Sequence, residues 1–322
     1  MKNRETVCDV VVTYNRKKLL KECLEALIKQ TRPIQAIYLI DNASTDGTPN
    51  LLLEKGYIKE LPPKNLSNPW EKEFEIKNLT DEDTIKLYYV RMHENTGGAG
   101  GFHEGVKRGY EKGYDWLWLM DDDVEPLPYA HETMMKYADI SKCIHPSKEY
   151  INGDRFFWAG YIDEQNGFAL INNEDFIYNK EWITVNYGCF EGMLLHKDVI
   201  EKIGYPDKKL FFIGDDTIYG YKSSQYTNNL YIKDVCFIKK IDKRGKDISR
   251  LYVYLYSRNI LAYVSKKIAK NKFKWFVMSN YKLIRMQIHI LKSLQFIKIK
   301  DSFNGYIDGL REKWGKEKRY LK

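Results

Sequence analysis

The stretch Asp115–Pro126 reads DWLWLMDDDVEP. Its first half, Asp115–Met120, is read as a fully buried strand that runs directly into three acids. In an open α/β sheet, a buried parallel strand delivers its carboxyl end to the ligand crevice. Three acids at that point cannot be core residues, because crowded carboxylates repel and raise one another's pKa. A divalent cation among them makes the crowding tolerable, and hard oxygen ligands favour Mn²⁺ or Mg²⁺. Asp121 and Asp123, as alternate residues, could reach one ion directly or through water. Such an ion bridges the two phosphates of a nucleotide diphosphate and stabilises its departure. The plainer alternative is a solvated acidic turn with a helix cap; the unbroken apolar strand before the acids favours the metal.

Upstream, the chain spells strand, helix, strand, helix. Val7–Thr13 is a β-branched run, Lys17–Gln30 carries apolar residues at helical spacing, and Ala36–Ile40 is a second strand ending in Asp41. That order at short intervals predicts a parallel sheet with helical crossovers, an α/β fold. The strand ends offer Thr13, Tyr14 and Arg16 from the first strand, and Asp41 and Asn42 from the second. An acid such as Asp41 could accept a hydrogen bond from a uracil or thymine ring N–H; the ordinary alternative is an Asx-turn. Residues 58–84 are polar and Pro/Asn-rich, read as an insertion over the sheet, and Lys86–Arg91 is a third strand. It leads into NTGGAGGFHEGVKRG, Asn95–Gly109, a glycine-rich turn opening a helix over Gly97–Gly113. Glycines there allow close backbone approach to a ligand, but the spacing is not GxGxxG, and helix packing is the other explanation. Downstream the pattern predicts a helix over Met134–Ile140, strands over Phe156–Ile162 and Val185–Leu195, and a helix over Asp198–Ile203. Phe211–Asp216 closes another apolar run with acids, and from Ser249 onward the chain reads as helical.

Composition narrows the class. The chain has 322 residues, a formal charge of +8 and 43% hydrophobic residues, enough for one large α/β domain and an appendage. Its five cysteines are widely spaced, with no CxxC pair. This argues against a disulfide framework or a zinc site and fits a reducing, cytoplasmic setting best. The apolar run at the N-terminus is too short for a signal peptide, and no stretch reaches the roughly 18 to 20 apolar residues of a membrane span.

Taken together, VVVTYNR, IDNASTDGT, NTGGAGG and LMDDDVEP, followed by YGCFEGMLLHKDVIEKIGYPDKKLFFIGDDTIYGYK, resemble the family-two glycosyltransferases of the GT-A fold. The asparagine, paired-glycine loop and DDD triplet are most similar to the galactofuranosyl- and rhamnosyl-transferase branch. The resemblance covers roughly the first 240 residues. It implies a Rossmann-like, mostly parallel sheet flanked by helices over residues 1–240, with a nucleotide-sugar-binding half (1–125) and an acceptor-binding half (126–240). Residues 241–322 would form a C-terminal helical extension. It also implies an inverting, metal-dependent hexosyl transfer from a UDP-galactofuranose or dTDP-rhamnose type of donor to a hydroxyl of a growing, lipid-linked cell-surface glycan. By position, Asp216 is the base and Asp215 its neighbour. Thr13, Tyr14, Arg16, Asp41, Asn95, Gly97, Gly98, Asp121 and Asp122 would hold the nucleotide sugar, and Asp121 and Asp123 the metal. Trp158 and Trp182 are candidates for stacking on an acceptor sugar. Two departures stand out. The family often has an acid two residues after the pair, where this chain has Ile218, and a histidine metal ligand some twenty residues on. There, VCFIKKIDKR contains only Lys239 and Lys240. The alternative these departures leave open is a non-catalytic glycan- or lipid-binding module on a degenerate transferase fold.

From Val264 to Lys300 there are ten Lys/Arg and no Asp or Glu, interleaved with aromatic and aliphatic residues. A basic amphipathic segment of this kind suits an anionic membrane surface. Nucleic acid also attracts lysine with aromatics, but an acidic, metal-holding cleft next door argues against it. The expected setting is the inner face of the cell membrane, held peripherally, with oligomers possible.

Overall fold

The computed structural model describes residues 5–170, 180–242 and 248–320. The chain alternates as expected at first: β1 (Val7–Thr13), α1 (Lys17–Leu27), β2 (Ala36–Asp41), α2 (Thr48–Glu54), β3 (Trp70–Lys77), β4 (Thr84–Arg91), α3 (Gly97–Glu111) and β5 (Trp116–Asp121). There follow β6 (Val124–Pro126), α4 (Ala130–Met135) and β7 (Cys143–Tyr150). Next come the short strands β8 (Arg155–Phe156), β9 (Ala159–Gly160), β10 (Ile162–Asp163) and β11 (Phe168–Ala169). The middle region closes with β12 (Trp182–Val185), β13 (Tyr187–Gly188), β14 (Met193–His196), α5 (Lys197–Ile203), α6 (Asp215–Ser224) and β15 (Asn229–Lys239). The main sheet runs β12-β15-β7-β14-β5-β1-β2-β4-β3. Strands β4, β2, β1 and β5 are parallel, and β14 joins β5 antiparallel.

The seven residues of β1 are all buried because the strand is covered on both faces. Val7 and Val11 pack with Leu20, Cys23, Leu24 and Leu27 of α1. Cys8, Val10 and Val12 pack with Phe102 and Val106 of α3. A strand sandwiched in this way must read as a largely apolar run, and all of this one but Asp9 and the terminal Thr13 is apolar. The mixed, mostly parallel sheet flanked by helices is the expected α/β class.

The middle of the chain departs from the expected elements. The polar segment 58–84 contains β3, an antiparallel edge strand on β4 whose WEKEFEIK pattern buries only Phe74. Charge on an exposed edge discourages pairing with other chains, which explains why it looked like a loop. The single strand expected over Phe156–Ile162 is three two-residue pieces, and Val185–Leu195 divides into β13 and β14 around a loop. The helix expected over Met134–Ile140 lies instead at Ala130–Met135, and residues 136–140 are turns. Strands β7 and β15 were not foreseen; β7 contains a proline, and β15 is broken in register between Ile232 and Val235.

After residue 248 the chain is helical: α7 (Arg250–Leu255), a π-helical stretch Tyr256–Val264, α8 (Ser265–Ile268), α9 (Lys272–Lys292) and α10 (Phe296–Leu310). The π-helical stretch packs on the rest of the molecule. Tyr263, Val264 and Ile268 share a cluster with Ala99, Ile162, Leu210 and Ile218. Arg258 is fully buried, paired to Glu317 at 2.5 Å and donating to Leu210 O at 2.9 Å. Among the described residues, no helix is long and apolar enough to cross a membrane.

Candidate active site

The carboxyl ends of β1 and β5 meet at the acidic triplet. Thr13 Oγ1 donates to Asp122 Oδ2 at 2.6 Å, and the Arg16 guanidinium lies 3.1 Å from both Asp122 Oδ1 and Asp123 Oδ2. Asp122 is therefore held by the protein. Burial pushes its carboxyl up to about 6, against the opposing pull of Arg16. Asp121 and Asp123 are joined by a residue the sequence reading missed, Glu191, in the loop between β13 and β14. One carboxylate oxygen from each of the three lies within 4.8 Å of the others. Desolvation, then Asp123 and Glu191, drive the Asp121 carboxyl well above the usual range.

A lysine enters the same cluster. Lys239, at the end of β15, donates to Glu191 Oε1 at 2.5 Å and to Asp123 Oδ1 at 3.4 Å. Burial alone would lower its pKa, but Glu191 and Asp123 outweigh that and raise it. Among the described residues, Glu191 Oε2 is buried with no hydrogen-bond partner. The ionised cluster of Asp121, Asp122, Asp123 and Glu191 against Arg16 and Lys239 leaves two negative charges uncompensated. A buried orphan oxygen and a surplus of two negative charges fit a divalent cation of the hard, oxygen-seeking kind.

Asp121, Glu191, Asp215 and Asp216 all line one cavity of about 700 Å³. The second pair sits at the first turn of α6, after the left-handed Gly214. Asp216 Oδ1 accepts from Thr217 N at 2.6 Å and Thr217 Oγ1 at 3.1 Å, and Trp158 lines the same cavity. Burial raises both acids, and the charge of Asp216 adds to the rise at Asp215. Tyr252, Tyr256, Ile260 and Val264, from α7 and the π-helical stretch, close the cavity on its apolar side.

The remaining residues singled out in the sequence take other places. Asp41 is fully buried and already engaged: it accepts from Tyr89 Oη at 2.7 Å, Arg91 at 2.6 Å and Ser44 N at 2.8 Å. Asn95 Oδ1 accepts from Gly97 N at 2.8 Å and Asn42 Nδ2 at 3.2 Å, building the turn before α3. Of the glycines there, Gly98 lines the cavity. Gly101, Gly105 and Gly109 instead let α3 lie on the sheet: a Cβ at each would come within 2.5, 2.2 and 2.6 Å of Val12, Val10 and Leu117. Gly97, at φ 71°, faces Phe211, whose carbonyl oxygen would lie 2.0 Å from an added Cβ. Tyr14 is exposed. Trp182 is not brought to the cavity; it packs half-buried against the core on the α1 side of the sheet. Of the segment VCFIKKIDKR, Lys243 and Arg244 lie outside the described residues.

The chain is similar to known proteins in sequence and in fold. The chain is 25% identical over 228 residues to the galactofuranosyltransferase GlfT1 of Mycolicibacterium smegmatis, covering 67% of this chain and 64% of that protein. It is 24% identical to GlfT1 of Mycobacterium tuberculosis, covering 66% and 62%. The chain thus spans less than two thirds of the length of these relatives. Among solved structures, S. aureus TarS 1-349 superposes with a TM-score of 0.56 at 15% identity, over 95% of this chain and 81% of that one. The mannosyltransferase PcManGT from Pyrobaculum calidifontis, in complex with GDP-Man and Mn²⁺, gives 0.54 at 15% identity, over 97% and 89%. These likenesses establish a GT-A fold. The sequence model described as Glycosyl transferase family 2 matches residues 9–62 and 73–204, more than half of the chain and all four carboxylates of the acidic cluster, and on that ground the chain belongs to glycosyl transferase family 2.

Proposed function

We propose that this chain is an inverting, metal-dependent glycosyltransferase that moves a sugar from a nucleoside-diphosphate donor to a hydroxyl of a growing glycan. The donor is of the UDP-galactofuranose or dTDP-rhamnose type, and the acceptor is lipid-linked. One observation carries the reading: Asp121 and Glu191 of the acidic cluster line the same cavity as the Asp215–Asp216 pair. In this reading Asp121, Asp123 and Glu191 hold Mn²⁺ or Mg²⁺. Arg16 and Thr13 keep Asp122 oriented beside them, and Gly98 lets the donor approach α3. The metal, when bound, supplies charge neutralisation for the departing diphosphate. Asp216 takes the proton of the acceptor hydroxyl, for which a carboxylate raised by burial is well matched. Trp158, which lines the same cavity as Asp216, offers its ring to the acceptor sugar. A calorimetric screen of UDP- and dTDP-sugars with Mn²⁺ should find one that binds, and that donor should be consumed when a glycan acceptor is added. Binding of none would overturn the reading.

The same reading includes a membrane. Helix α9 buries Trp275, Ser279, Leu283 and Ile290, and turns Phe273, Phe276, Val277, Ile284, Ile288 and Leu291 outward. Lys274, Arg285 and Lys292 are exposed and fall on one line along the helix edge. Apolar side chains projecting from a folded surface beside a row of cations complement an anionic bilayer. Lys267 and Lys270 instead pair with Glu312 and Glu164, and Lys272 donates to Ala269 O at 2.7 Å. Changing Lys274, Arg285 and Lys292 together to Gln should therefore sharply reduce sedimentation with anionic vesicles, while transfer to a short water-soluble acceptor is preserved. Equal sedimentation with anionic and neutral vesicles, or burial of this face in a dimer of the chain, would overturn it.

A further inference from the structure

Lys239 lies where a metal-binding acidic cluster has least reason to hold a fixed cation. It is 7% exposed, and its ammonium sits 2.5 Å from Glu191 Oε1, 3.4 Å from Asp123 Oδ1 and 5.2 Å from the centre of the Phe156 ring. Glu191 and Asp123 are two of the three carboxylates whose oxygens converge within 4.8 Å. A divalent ion held by all three draws on two carboxylates whose charge the ammonium already neutralises, so the two cations compete for the same acids. Arg16 is different: it reaches Asp123 through Oδ2, while Lys239 reaches it through Oδ1. Lys239 also lines the cavity shared with Asp121 and Asp216, so an ammonium that lets go of Glu191 stays inside that cavity on its flexible stem.

We propose that Lys239 is a tethered cation that competes with the divalent ion for Glu191 and Asp123, and that it transfers to the donor's diphosphate when ion and donor enter together. This rests on the glycosyl-transfer reading. In the empty cleft the ammonium stabilises the crowded acids. Once the ion takes the acids, the ammonium is repelled by it, and the diphosphate is the anion within reach. Two consequences follow. Metal alone binds weakly, because it must dislodge a charge already in place. Metal and nucleotide bind cooperatively, because each gives the displaced lysine a better arrangement, and such coupling is reciprocal.

The test uses the full chain and its Lys239→Met variant, which keeps the length and loses the charge. Mn²⁺ alone is titrated by calorimetry and by the electron paramagnetic resonance of free Mn²⁺, then UDP is titrated with and without Mn²⁺. Lys239→Met should bind Mn²⁺ alone at least about tenfold more tightly than the parent, as expected when a like charge leaves a partly buried site. It should bind UDP less tightly in saturating Mn²⁺, so the factor by which each ligand helps the other shrinks. Lys239→Arg, which keeps the charge, should retain most of the parent's coupling. Thermal melting and near-ultraviolet circular dichroism check that the variants fold, with Lys239→Gln as a second uncharged variant should Lys239→Met fail. Mn²⁺ affinity that is unchanged or weaker in a folded, uncharged variant would overturn the proposal and leave Lys239 as a structural brace for Glu191. If the parent binds no nucleotide even with Mn²⁺, the glycosyl-transfer reading fails instead, and the titration with Mn²⁺ alone still decides whether the lysine and the ion compete.

Discussion

Gly97→Ala should damage turnover far more than stability. Gly97 opens α3 at φ 71°, and a Cβ there would lie 2.0 Å from Phe211 O, 2.6 Å from Phe211 C and 2.8 Å from Phe211 Cδ2. Ordinary contact begins at 3.4 Å, so the two backbones must part by about 1.4 Å to relieve the overlap. The left-handed backbone costs an alanine about 1–2 kcal/mol. Stretching the Ala99 N–H to Phe211 O bond, now 3.0 Å, removes about 0.5–1.5 kcal/mol more. A loss of about 1.5–3.5 kcal/mol is tolerable in a chain of this size. The displacement is less tolerable. Phe211 begins FFIGDD, with Asp216 five residues on, and a misplacement of about 1 Å near reacting groups costs about 10²-fold in rate. Gly113→Ala is the control: its φ is 92° but an added Cβ meets nothing within 4 Å, so it carries the backbone cost without the displacement. Steady-state kcat and melting temperature should be measured for both. Parent-like kcat in Gly97→Ala, or an equal loss of kcat in Gly113→Ala, would refute the reasoning.

Asp216→Asn should lower turnover by about 10²- to 10⁴-fold and leave donor affinity intact; if Asp215→Asn is the inactive variant instead, the base is Asp215. Burial raises the carboxyls of both, so the base form is filled only as pH rises. The kcat profile should have an acid limb above the ordinary carboxylate range of about 4, and a limb at or below that range would contradict the burial. Asp9 is fully buried in β1, with both carboxylate oxygens unpartnered among the described residues and its pKa driven up by desolvation. Asp9→Val should gain about 1–3 kcal/mol at neutral pH. Because the folded-state pKa is the higher one, the parent loses stability as pH rises above the unfolded value of about 4, so the gain in urea unfolding should widen with pH and not narrow.

Much of the donor side was legible because its signals are local. A strand covered on both faces must be largely apolar, so VCDVVVT, despite Asp9, AIYLID and WLWLMD announced themselves, and the acids that end the last run marked the crevice. The glycines of α3 were legible as glycines but ambiguous in purpose. Close approach to a ligand and close approach to Val10, Val12 and Leu117 ask for the same missing side chain. Glu191 was hidden for a different reason. It sits alone between a two-residue strand and a buried one, and only the pairing of β14 with β5 carries it to Asp121. The engagement of Asp41 depends on Tyr89 and Arg91, about fifty residues on. Trp182 could not be told from an acceptor-facing aromatic without knowing that β12 adds to the far edge of the sheet.

The loop that presents Asp215 and Asp216 is not self-supporting. Phe211 and Ile213 have positive φ values of 63° and 70°, conformations that non-glycine residues keep only when their surroundings impose them. The surroundings include Asn259, whose amide donates to Leu210 O, Phe212 O and Ile213 O at 2.9, 2.8 and 2.8 Å. Asn259 belongs to the π-helical stretch, which in turn packs against α10. A chain emerging from the ribosome therefore completes its sheet and its acidic cluster before it owns the segment that bends this loop into place. During synthesis the acidic cluster can mature first, while Asp215 and Asp216 wait for the last helices. The nascent chain should thus hold a nucleotide before it can transfer anything.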